Sequence, residues 1–578
     1  MKESQLLKSQ VLQKLIKACE TLDLPSWNSA KIRIEYSRDE KFGDYSSPIA
    51  LENKNLWKQN PIEIANQLLP FLKEDPMFQE VSVTPPGFLN FRIANEFLKT
   101  YVLEVFSDAN HFAKLDAPEK ILLEFISANP TGPLNIVSAR AGAVGDSLAR
   151  LLKTLGHEVT KEFYVNDYGN QVDLLGVALM FRIRELDGEA SRYQNDGEIL
   201  SLDECIEKNI LPLESYRGEY MIPMAKDFQT KFAEELESIR NSKSWKANIP
   251  RFSKFAVEWN LSQQKEDLQI FKISFDSFFQ ESTLHEKNLV LDSLKRFSSS
   301  EFVFVEKKKT FFKSTAFGDE KDRVIVRDDK RPTYYLADIA YHLTKIDRGF
   351  TRIYDLWGPD HHGYIPRMKG AMTALGYPEA SFKVFIIQQV NLLENGVKVK
   401  MSKRLGVYQT MKDLLEYLGT SGTDVARYFF LMRSSDSPLD FDLDLAKEES
   451  DKNPVYYIQY ANARIQSIFR EVSKEWNQDA FMELPMDWER NRLLFLVSRF
   501  SEEVFDASTT MEPHRLANYL QALAKVFTKF YSSKENRVKD ASPTIQRGLL
   551  QLLQYNTIAF QKGLELLGIS APEKMVKE

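Results

Sequence analysis

The sequence predicts a three-part α/β protein: a small α+β domain, a central domain built on a parallel sheet, and an all-helical C-terminal bundle. Three observations lead to this order. The chain has 578 residues, which is too many for a single hydrophobic core. Strand-like and helix-like patterns alternate through its middle, which is typical of a parallel sheet. Beyond residue 447 apolar residues recur almost wholly at helical spacing.

The predicted N-terminal domain covers residues 1–115 and opens with an amphipathic helix. Its apolar residues fall on one helical face: Leu6, Leu7, Val11, Leu12, Leu15 and Ile16. KIRIEYS (31–37) alternates like a strand, and VSVTPPGFLNFRI (81–93) predicts two short strands around a Pro-Pro-Gly turn. DAPEK (116–120) is typical of a linker to the next domain.

The predicted central domain covers residues 116–446 and begins as a βαβ unit. LLEFIS (122–127) predicts a strand, ANPTGP a loop, residues 143–155 a helix, and EVTKEFYV (158–165) the next strand. A charged, irregular stretch over about residues 182–300 is interpreted as an insertion. We expect the sheet to resume with three strand patterns: RVIVRDD, RIYDLW and KVFIIQQV.

Composition excludes several classes of protein. The two cysteines lie far apart and the seven histidines show no H-E-x-x-H spacing, so we expect no protein-bound metal and no disulfide framework. Without a signal peptide or a run of about 18 apolar residues, we expect a cytoplasmic protein with no membrane contact. A net charge of −6 argues against a general nucleic-acid coat but allows RNA binding through local basic surfaces.

The strongest local motif is VKMSKRLG, which contains Lys400, Met401, Ser402 and Lys403. Two lysines in a loop can neutralise charge that develops on a transferred phosphate group, and Ser402 adds a hydroxyl donor. A solvated basic turn would have the same composition. The position between a sheet strand and a helix favours the catalytic interpretation.

A second motif joins the first strand of the sheet to its helix over residues 122–146. An ordinary strand-to-helix turn explains Gly132 and Pro133 but not the polar residues Asn135 and Ser138. A helix that begins there presents free N–H groups and a positive dipole end. That position suits the phosphates of a nucleotide.

A third motif, TYYLADIAYH, places Tyr334 and Asp338 four residues apart and therefore on one face of a helix. A carboxylate beside a phenol suits a guanidinium group, although a packed tyrosine with a surface aspartate has the same spacing. In the WGPDHHGY segment that follows, Gly358 permits close backbone approach, and Asp360 and His362 can hydrogen-bond a ribose. Either adjacent histidine could equally be a buried structural residue.

Together these segments resemble the arginyl-tRNA synthetases, a class I aminoacyl-tRNA synthetase family, over nearly the whole chain. Further matching segments in the family's order are KFGDYSSPIA, SANPTGP, YVNDYGNQV, TDVARYFFLMRSSDSPLDFD, NPVYYIQYANARI and LLGISAPEKM. The resemblance implies a Rossmann-like catalytic domain, an N-terminal additional domain that contacts the tRNA elbow, and a C-terminal anticodon-binding domain. It implies that ATP activates arginine to arginyl-adenylate, which then reacts with tRNA(Arg). We expect magnesium to arrive with ATP, and the protein to act as a monomer.

The resemblance also implies roles for individual residues. Ser127 and Asn129 would hold the α-amino group of arginine, and Glu124, Tyr334 and Asp338 its guanidinium group. Lys400, Ser402 and Lys403 would stabilise the activation transition state. The ATP site would consist of Gly358, Asp360, His362, Asn135, Ser138 and Met401. Candidate tRNA contacts are Tyr456, Tyr457, Gln459, Tyr460, Lys525 and Lys529, the last two in a basic run that contains Phe527, Phe530 and Tyr531; a solvated helix face would show the same run.

The chain departs from the family at the His-x-Gly-His motif, which here is Asn135-Ile136-Val137-Ser138. Both histidines are absent, and Val137 replaces the glycine under which adenine stacks in the family. We expect an active arginine–tRNA ligase with an altered ATP site. One alternative is a catalytically weak paralogue that binds tRNA or arginine as a regulator, and another is a class I synthetase for a different amino acid. Glu124 and Asp338 in one pocket would favour arginine, because a cationic side chain requires carboxylates.

Overall fold

The computed structural model describes residues 2–22, 24, 32–37, 39–107, 114–189, 191–195, 197–298, 300–399, 410–472 and 476–575. The N-terminal domain contains the helices α1 (Leu7–Thr21), α2 (Ile49–Trp57), α3 (Pro61–Lys73) and α4 (Asn95–Val105), and the strands β1 (Glu35–Tyr36), β2 (Tyr45–Ser47), β3 (Phe78–Thr84) and β4 (Phe88–Ile93). The strands form an antiparallel sheet of order β1-β2-β4-β3, and α2 and α3 pack on it. The predicted hairpin of β3 and β4 is confirmed, whereas KIRIEYS contributes only two strand residues.

The central domain opens with the predicted βαβ unit: β5 (Lys120–Glu124), α5 (Ile136–Thr154) and β6 (Glu158–Val165), followed by α6 (Asn170–Leu186). The start at residue 143 predicted from the helix pattern is wrong, because α5 begins at Ile136, where the second motif indicated a helix N-terminus. Asn135 has extended backbone, and its side chain accepts a hydrogen bond from the Ser138 amide, so it is the N-cap.

The segment predicted as an insertion is mostly helical and has its own hydrophobic core against α6. It contains β7 (Arg192–Tyr193), α7 (Leu202–Glu207), β8 (Ile210–Leu211), α8 (Met221–Lys231), α9 (Ala233–Ser242) and α10 (Ile249–Ile270). After α10 the chain returns to the main sheet as β9 (Ser277–Gln280), which pairs in parallel with β6. The sheet therefore extends into the predicted insertion.

A small antiparallel sheet separates the two halves of the central domain. After α11 (Ser282–Glu286) and α12 (Leu289–Ser298), it is formed by β10 (Val303–Glu306), β11 (Lys309–Phe312) and β12 (Arg323–Val326). The prediction that RVIV continues the parallel sheet is wrong, because this segment is β12 and pairs antiparallel with β11. Its alternation predicts a strand but does not identify the strand's partner.

The second half of the central domain begins with α13 (Tyr334–Asp347), β13 (Arg352–Trp357), α14 (Ile365–Ala374) and β14 (Phe382–Ile386). The main sheet has five parallel strands in the order β14-β13-β5-β6-β9. Because parallel strands all end at the same edge, the segments that follow β5, β6, β9 and β13 meet there. The loop of the second motif follows β5, YVNDYGNQV spans the end of β6, and WGPDHHGY spans the end of β13.

The chain then forms a small sheet and the helical C-terminal domain. The connecting elements are β15 (Val390–Glu394), β16 (Val397–Lys398), α15 (Met411–Leu418), α16 (Gly422–Leu431), β17 (Leu439–Asp442) and α17 (Leu443–Lys447). The bundle consists of α18 (Pro454–Glu471), α19 (Gln478–Met482), α20 (Trp488–Ser498), α21 (Phe500–Thr509), α22 (Pro513–Ser532) and α23 (Pro543–Leu566). The predicted helical bundle is confirmed. None of the described helices is both long and apolar enough to cross a lipid bilayer.

Candidate functional site

The turn after β5 is the most constrained part of the candidate site. Ile126 and Ser127 both have left-handed backbone, with φ of 67° and 43°, although neither is glycine. The Ser127 hydroxyl donates to Glu124 Oε1 at 2.9 Å and accepts from the Tyr164 amide at 3.1 Å. Two neighbouring strands therefore hold this turn in its strained conformation. Asn129 is exposed and donates to the Gln171 side chain at 3.0 Å.

The helix N-terminus at Asn135 lies beside Thr410, the first described residue after the lysine motif. Asn135 Oδ1 accepts hydrogen bonds from the amide and the hydroxyl of Ser138, at 2.8 Å and 3.1 Å. Asn135 forms a β-bridge with Thr410, and the Met411 amide donates to the Leu134 carbonyl at 2.8 Å. The predicted residues Lys400, Met401, Ser402 and Lys403 lie outside the described residues. Thr410 and Met411, the first residues described after this gap, therefore contact the substituted motif and the residue before it.

Helix α13 brings Tyr334 and Asp338 to one cavity, as their spacing predicted. The cavity has a volume of about 390 Å³ and is lined by Arg323, Val324, Arg327, Thr333, Tyr334, Tyr335, Asp338, His361, Tyr364 and Arg367. Tyr334 is 73% exposed, whereas Asp338 is half-buried and accepts a hydrogen bond from the Tyr364 hydroxyl at 2.5 Å. Burial raises the pKa of Asp338. Two of the arginines, Arg323 and Arg367, pair with Asp319 at 2.6 Å and 3.2 Å.

Sequence reasoning missed Glu281, a second carboxylate close to Asp338. It directly follows β9 and is only 6% exposed. Burial, together with the nearby charges of Asp338 and Asp167, raises its pKa to about 7, although a hydrogen bond from Tyr164 opposes the shift. The signal in the sequence was a carboxylate that follows the short aromatic run SFFQ, which would have predicted a strand end at the edge of the sheet.

Glu124 is placed differently from the other predicted arginine-binding residues. It is 8% exposed, and its carboxylate accepts hydrogen bonds from the Tyr341 hydroxyl at 2.9 Å and Lys345 Nζ at 2.6 Å, in addition to Ser127. Like Ser127, Asn129 and Glu281, it does not line the cavity beside Asp338. The charge of Asp338 contributes to the raised pKa of Glu281.

The predicted nucleotide residues after β13 lie on a 3-10 helix over Pro359–Tyr364. Asp360, His361 and His362 are exposed, and a side chain added at Gly358 would meet only open space. Of the two histidines, His361 lines the cavity beside Asp338, whereas His362 does not. Among the described residues, no three His, Cys, Asp or Glu side chains are grouped so that they could hold a metal ion.

The predicted tRNA contacts in the C-terminal bundle divide into exposed and buried residues. Tyr456 stacks on Tyr460 with ring centroids 6.4 Å apart, and Tyr460, Lys525 and Lys529 are exposed. Tyr457 is half-buried, and its hydroxyl donates to Thr528 at 2.8 Å.

Gln459 is 8% exposed, and its amide donates to Asp424 at 3.1 Å and to the Ser570 carbonyl at 2.9 Å. Phe527 and Phe530 are 2% and 1% exposed. These two phenylalanines belong to the core and are therefore not available to stack on single-stranded RNA. Tyr531 is the exposed aromatic of that run, at 40%.

Comparisons with known proteins agree with this architecture. Three family models match the chain: "Arginyl tRNA synthetase N terminal domain" over residues 5–93, "tRNA synthetases class I (R), catalytic domain" over residues 102–424, and "DALR anticodon binding domain" over residues 458–575. The arginine–tRNA ligase of Leptospira biflexa is 56% identical over 596 aligned residues, which cover 100% of this chain and 99% of that protein. The arginine–tRNA ligase of Leptospira interrogans is 53% identical, with 100% of both chains covered. The solved arginyl-tRNA synthetase of Thermus thermophilus has the same fold, with a TM-score of 0.76 at 20% identity over 99% of this chain and 100% of that one.

Proposed function

Because the chain belongs to the arginyl-tRNA synthetase family and is an arginine–tRNA ligase that uses ATP, we propose which of its residues hold each substrate. The reaction joins the carboxylate of arginine first to AMP and then to the 3′ end of tRNA. The chain must therefore recognise a guanidinium group, bind ATP phosphates and position an RNA. The surroundings of different residues support each of these three tasks.

The arginine side chain binds between Asp338 and Glu281. The observation that carries this proposal is the presence of two neighbouring carboxylates at the carboxyl edge of the sheet, where burial raises the pKa of both groups. Such a pair favours a cation between its members, since a guanidinium group can donate to both carboxylates. Tyr334 lines the cavity beside Asp338 and is free to cover the bound side chain. Ser127 and Asn129 receive the α-amino group.

We expect Glu281→Gln to raise the arginine KM by about 10-fold, the scale for losing one charge-assisted hydrogen bond. The wild-type protein should also lose arginine kcat/KM as the pH falls through about 7, because the pKa of Glu281 is about 7 and only its ionised form attracts the guanidinium group. Glu281→Gln should flatten that part of the pH profile. Glu286→Gln, which changes an exposed carboxylate at the end of the helix that follows Glu281, is the matched control. A pH profile that Glu281→Gln leaves unchanged would argue against the assignment.

ATP binds between the N-terminus of α5 and the 3-10 helix that follows β13. The first-turn amides of α5 that Asn135 does not cap are offered to phosphate oxygens, and the Ser138 hydroxyl, which donates to Asn135 in this structure, turns toward them when ATP binds. The open space above Gly358 allows the nucleoside to approach the backbone there, where the exposed Asp360 and His362 can hydrogen-bond its ribose. Lys400, Met401, Ser402 and Lys403 complete the site, with both lysines acting on the transferred phosphate.

Magnesium accompanies ATP in this proposal and is held mainly by the phosphates, which suits a hard cation that keeps much of its hydration. We also propose that the protein acts as a monomer. A cytoplasmic location follows from the proposed function, since tRNA, arginine and ATP meet there.

The tRNA contacts both outer domains in this proposal. In the N-terminal domain (residues 1–115), a cavity of about 450 Å³ is lined by Glu35, Tyr36, Ser37, Phe42, Ser46, Thr84, Pro85, Phe88 and Asn90. Its aromatic walls suit an unstacked base. In the C-terminal domain (residues 447–578), Tyr456 and Tyr460 offer stacking surfaces for the anticodon, and Lys525 and Lys529 its phosphate contacts. Gln459 is less accessible, since its amide is already bonded within the bundle.

Arginine-dependent exchange between pyrophosphate and ATP, measured with and without tRNA, tests the proposed division of tasks. Members of the family usually need bound tRNA to shape the active site, so we expect exchange only when tRNA is present. Full exchange without tRNA would contradict that expectation. Exchange driven by an amino acid other than arginine would contradict the proposed binding of the arginine side chain by Asp338 and Glu281.

A further inference from the structure

Three strands of the main sheet place one carboxylate each in a row beneath α13. Glu124 on β5 is the register partner of Glu162 on β6 and of Asp355 on β13. All three are nearly or fully buried, with exposed fractions of 8%, 0% and 0%. The interior of a parallel sheet normally packs apolar side chains against its covering helix. The row is therefore an unusual feature that the catalytic assignments above do not use.

Helix α13 supplies the cations for this row. Lys345 is 0% exposed, and its Nζ lies 2.6 Å from Glu124 Oε2 and 2.9 Å from Asp355 Oδ1. Arg348 pairs with Glu162 at the other end of the row. Coulombic attraction from Lys345 lowers the pKa of Asp355 despite its burial. Lys345 is thus the central counter-charge, and Glu124 uses one carboxylate oxygen to bind it.

Stability alone does not require such an arrangement. Burying charged groups is costly, and replacing a buried ion pair by apolar side chains is often neutral or stabilising. A buried charge network, in contrast, can fix the relative positions of the elements that carry its members. The groups at the two ends of this network therefore indicate which elements it holds in position.

Both ends of the chain of contacts through Lys345 reach the proposed arginine site. On one side Glu124 Oε1 holds the hydroxyl of Ser127, in the strained turn. On the other side Asp355 Oδ2 contacts His342 Nε2 at 2.8 Å, and His342 Nδ1 lies 2.8 Å from the backbone carbonyl of Asp338. Lys345 therefore joins the residue proposed for the α-amino group to the helix segment proposed for the guanidinium group.

We propose that Lys345 is a positioning residue for arginine, and that Glu124 acts through Lys345 and Ser127 rather than by contacting the guanidinium group. This inference rests on the proposed arginine site. It explains why Glu124 carries its own internal cation, Lys345. The distance between the two ends of the arginine molecule would then be set by the network.

The test is a double-mutant cycle that compares Lys345→Met, Glu124→Gln and the combined variant. Lys345→Met leaves two buried carboxylates without their cation, and we expect arginine kcat/KM to fall by about 10–100-fold, the scale for misplaced binding groups. The combined variant removes one charge of each sign, and the new glutamine side chain can still accept a hydrogen bond from Ser127. We expect it to bind arginine better than Lys345→Met alone, with the ATP KM within about 2-fold of wild type in every variant.

Direct recognition by Glu124 predicts the opposite order, because the combined variant would lack a carboxylate that contacts the substrate. A combined variant with a higher arginine KM than either single variant would overturn the proposal. An unchanged arginine KM in Lys345→Met would overturn it as well, and would leave Lys345 a purely structural role. If Lys345→Met does not fold, the combined variant and Lys345→Arg, which keeps the charge, still decide between the two orders.

Arg348→Met is the matched control, since it removes a cation of the same network that pairs with Glu162, whereas Lys345 pairs with Glu124 and Asp355. We expect it to lower the melting temperature while changing the arginine KM by less than about 3-fold. Wild-type protein assayed in parallel separates the two proposals. If the wild-type protein shows no arginine-dependent activity, the proposed arginine site is wrong. If the wild-type protein is active, the double-mutant cycle tests the role of Lys345.

Discussion

Replacing Asp338 by asparagine is expected to raise the arginine KM by about 10–100-fold, the range for losing a charge-assisted pair with a guanidinium group. Asp338 shares its cavity with Tyr334, and Glu281 is its nearby second carboxylate. Asparagine can still accept the hydrogen bond from Tyr364, so the local geometry should persist while the negative charge is lost. Steady-state kinetics over a range of arginine concentrations measures the change.

Asp347→Asn is the control for this substitution. Asp347 lies at the end of the same helix and pairs with Arg296 on the surface at 2.9 Å. Surface ion pairs contribute little to stability, and this one lies outside the proposed pocket. The arginine KM of Asp347→Asn should therefore stay near that of wild type. An arginine KM for Asp338→Asn that equals the control value would remove Asp338 from the substrate pocket.

The second large effect concerns the phosphate site. Lys403→Ala is expected to lower kcat by at least about 100-fold, the scale for removing one preorganised donor from a transition state. Since Asn135 and Ser138 replace the two histidines of the family motif, Lys400, Lys403 and magnesium are the proposed full charges at the transferred phosphate. The helix N-terminus contributes only partial charge. The arginine KM should change little.

Two further variants serve as comparisons for Lys403→Ala. Lys398→Ala removes an exposed lysine on β16, close in sequence to the loop, and should leave kcat within about 2-fold. Ser138→Ala should cost less than Lys403→Ala, because a hydroxyl offers a neutral hydrogen bond and this hydroxyl also donates to Asn135. If Lys403→Ala keeps its full kcat, the enzyme works by a different stabilisation of the phosphate.

The parts of the site that the sequence predicted well are those with a long periodic pattern. The helix pattern that begins at Thr333 is regular enough to show that Tyr334 and Asp338 share a face, and both line one cavity. The apolar pattern alone placed the start of α5 at residue 143, whereas the polar residues Asn135 and Ser138 indicated a helix N-terminus there. The second indication agrees with the structure, in which the side chain of Asn135 caps the helix.

Other features depend on contacts that no local pattern contains. β9 is only four residues long and follows a long helical segment, so the position of Glu281 at the edge of the sheet was hidden. The prediction that Glu124 binds the guanidinium group did not include the ion pair between Glu124 and Lys345. A weak signal existed, since Asp338, His342 and Lys345 recur at helical spacing and therefore share a face of α13.

The two alternative functions are disfavoured for different reasons. Identity of 53–56% to arginine–tRNA ligases over the full chain argues against a catalytically weak regulatory paralogue. A class I synthetase for another amino acid is not favoured by the same relatives. The sequence argument for arginine relied on Glu124 and Asp338 in one pocket, and in the proposed site Glu281 takes the place of Glu124.

The central claim is that this chain charges tRNA with arginine although Asn135, Val137 and Ser138 replace the family's usual residues. Aminoacylation of tRNA by the purified full-length protein, with each amino acid supplied separately, tests it most directly. We predict ATP-dependent formation of arginyl-tRNA and no charging with the other amino acids. Tight binding of tRNA without any arginyl-tRNA formation would contradict the claim.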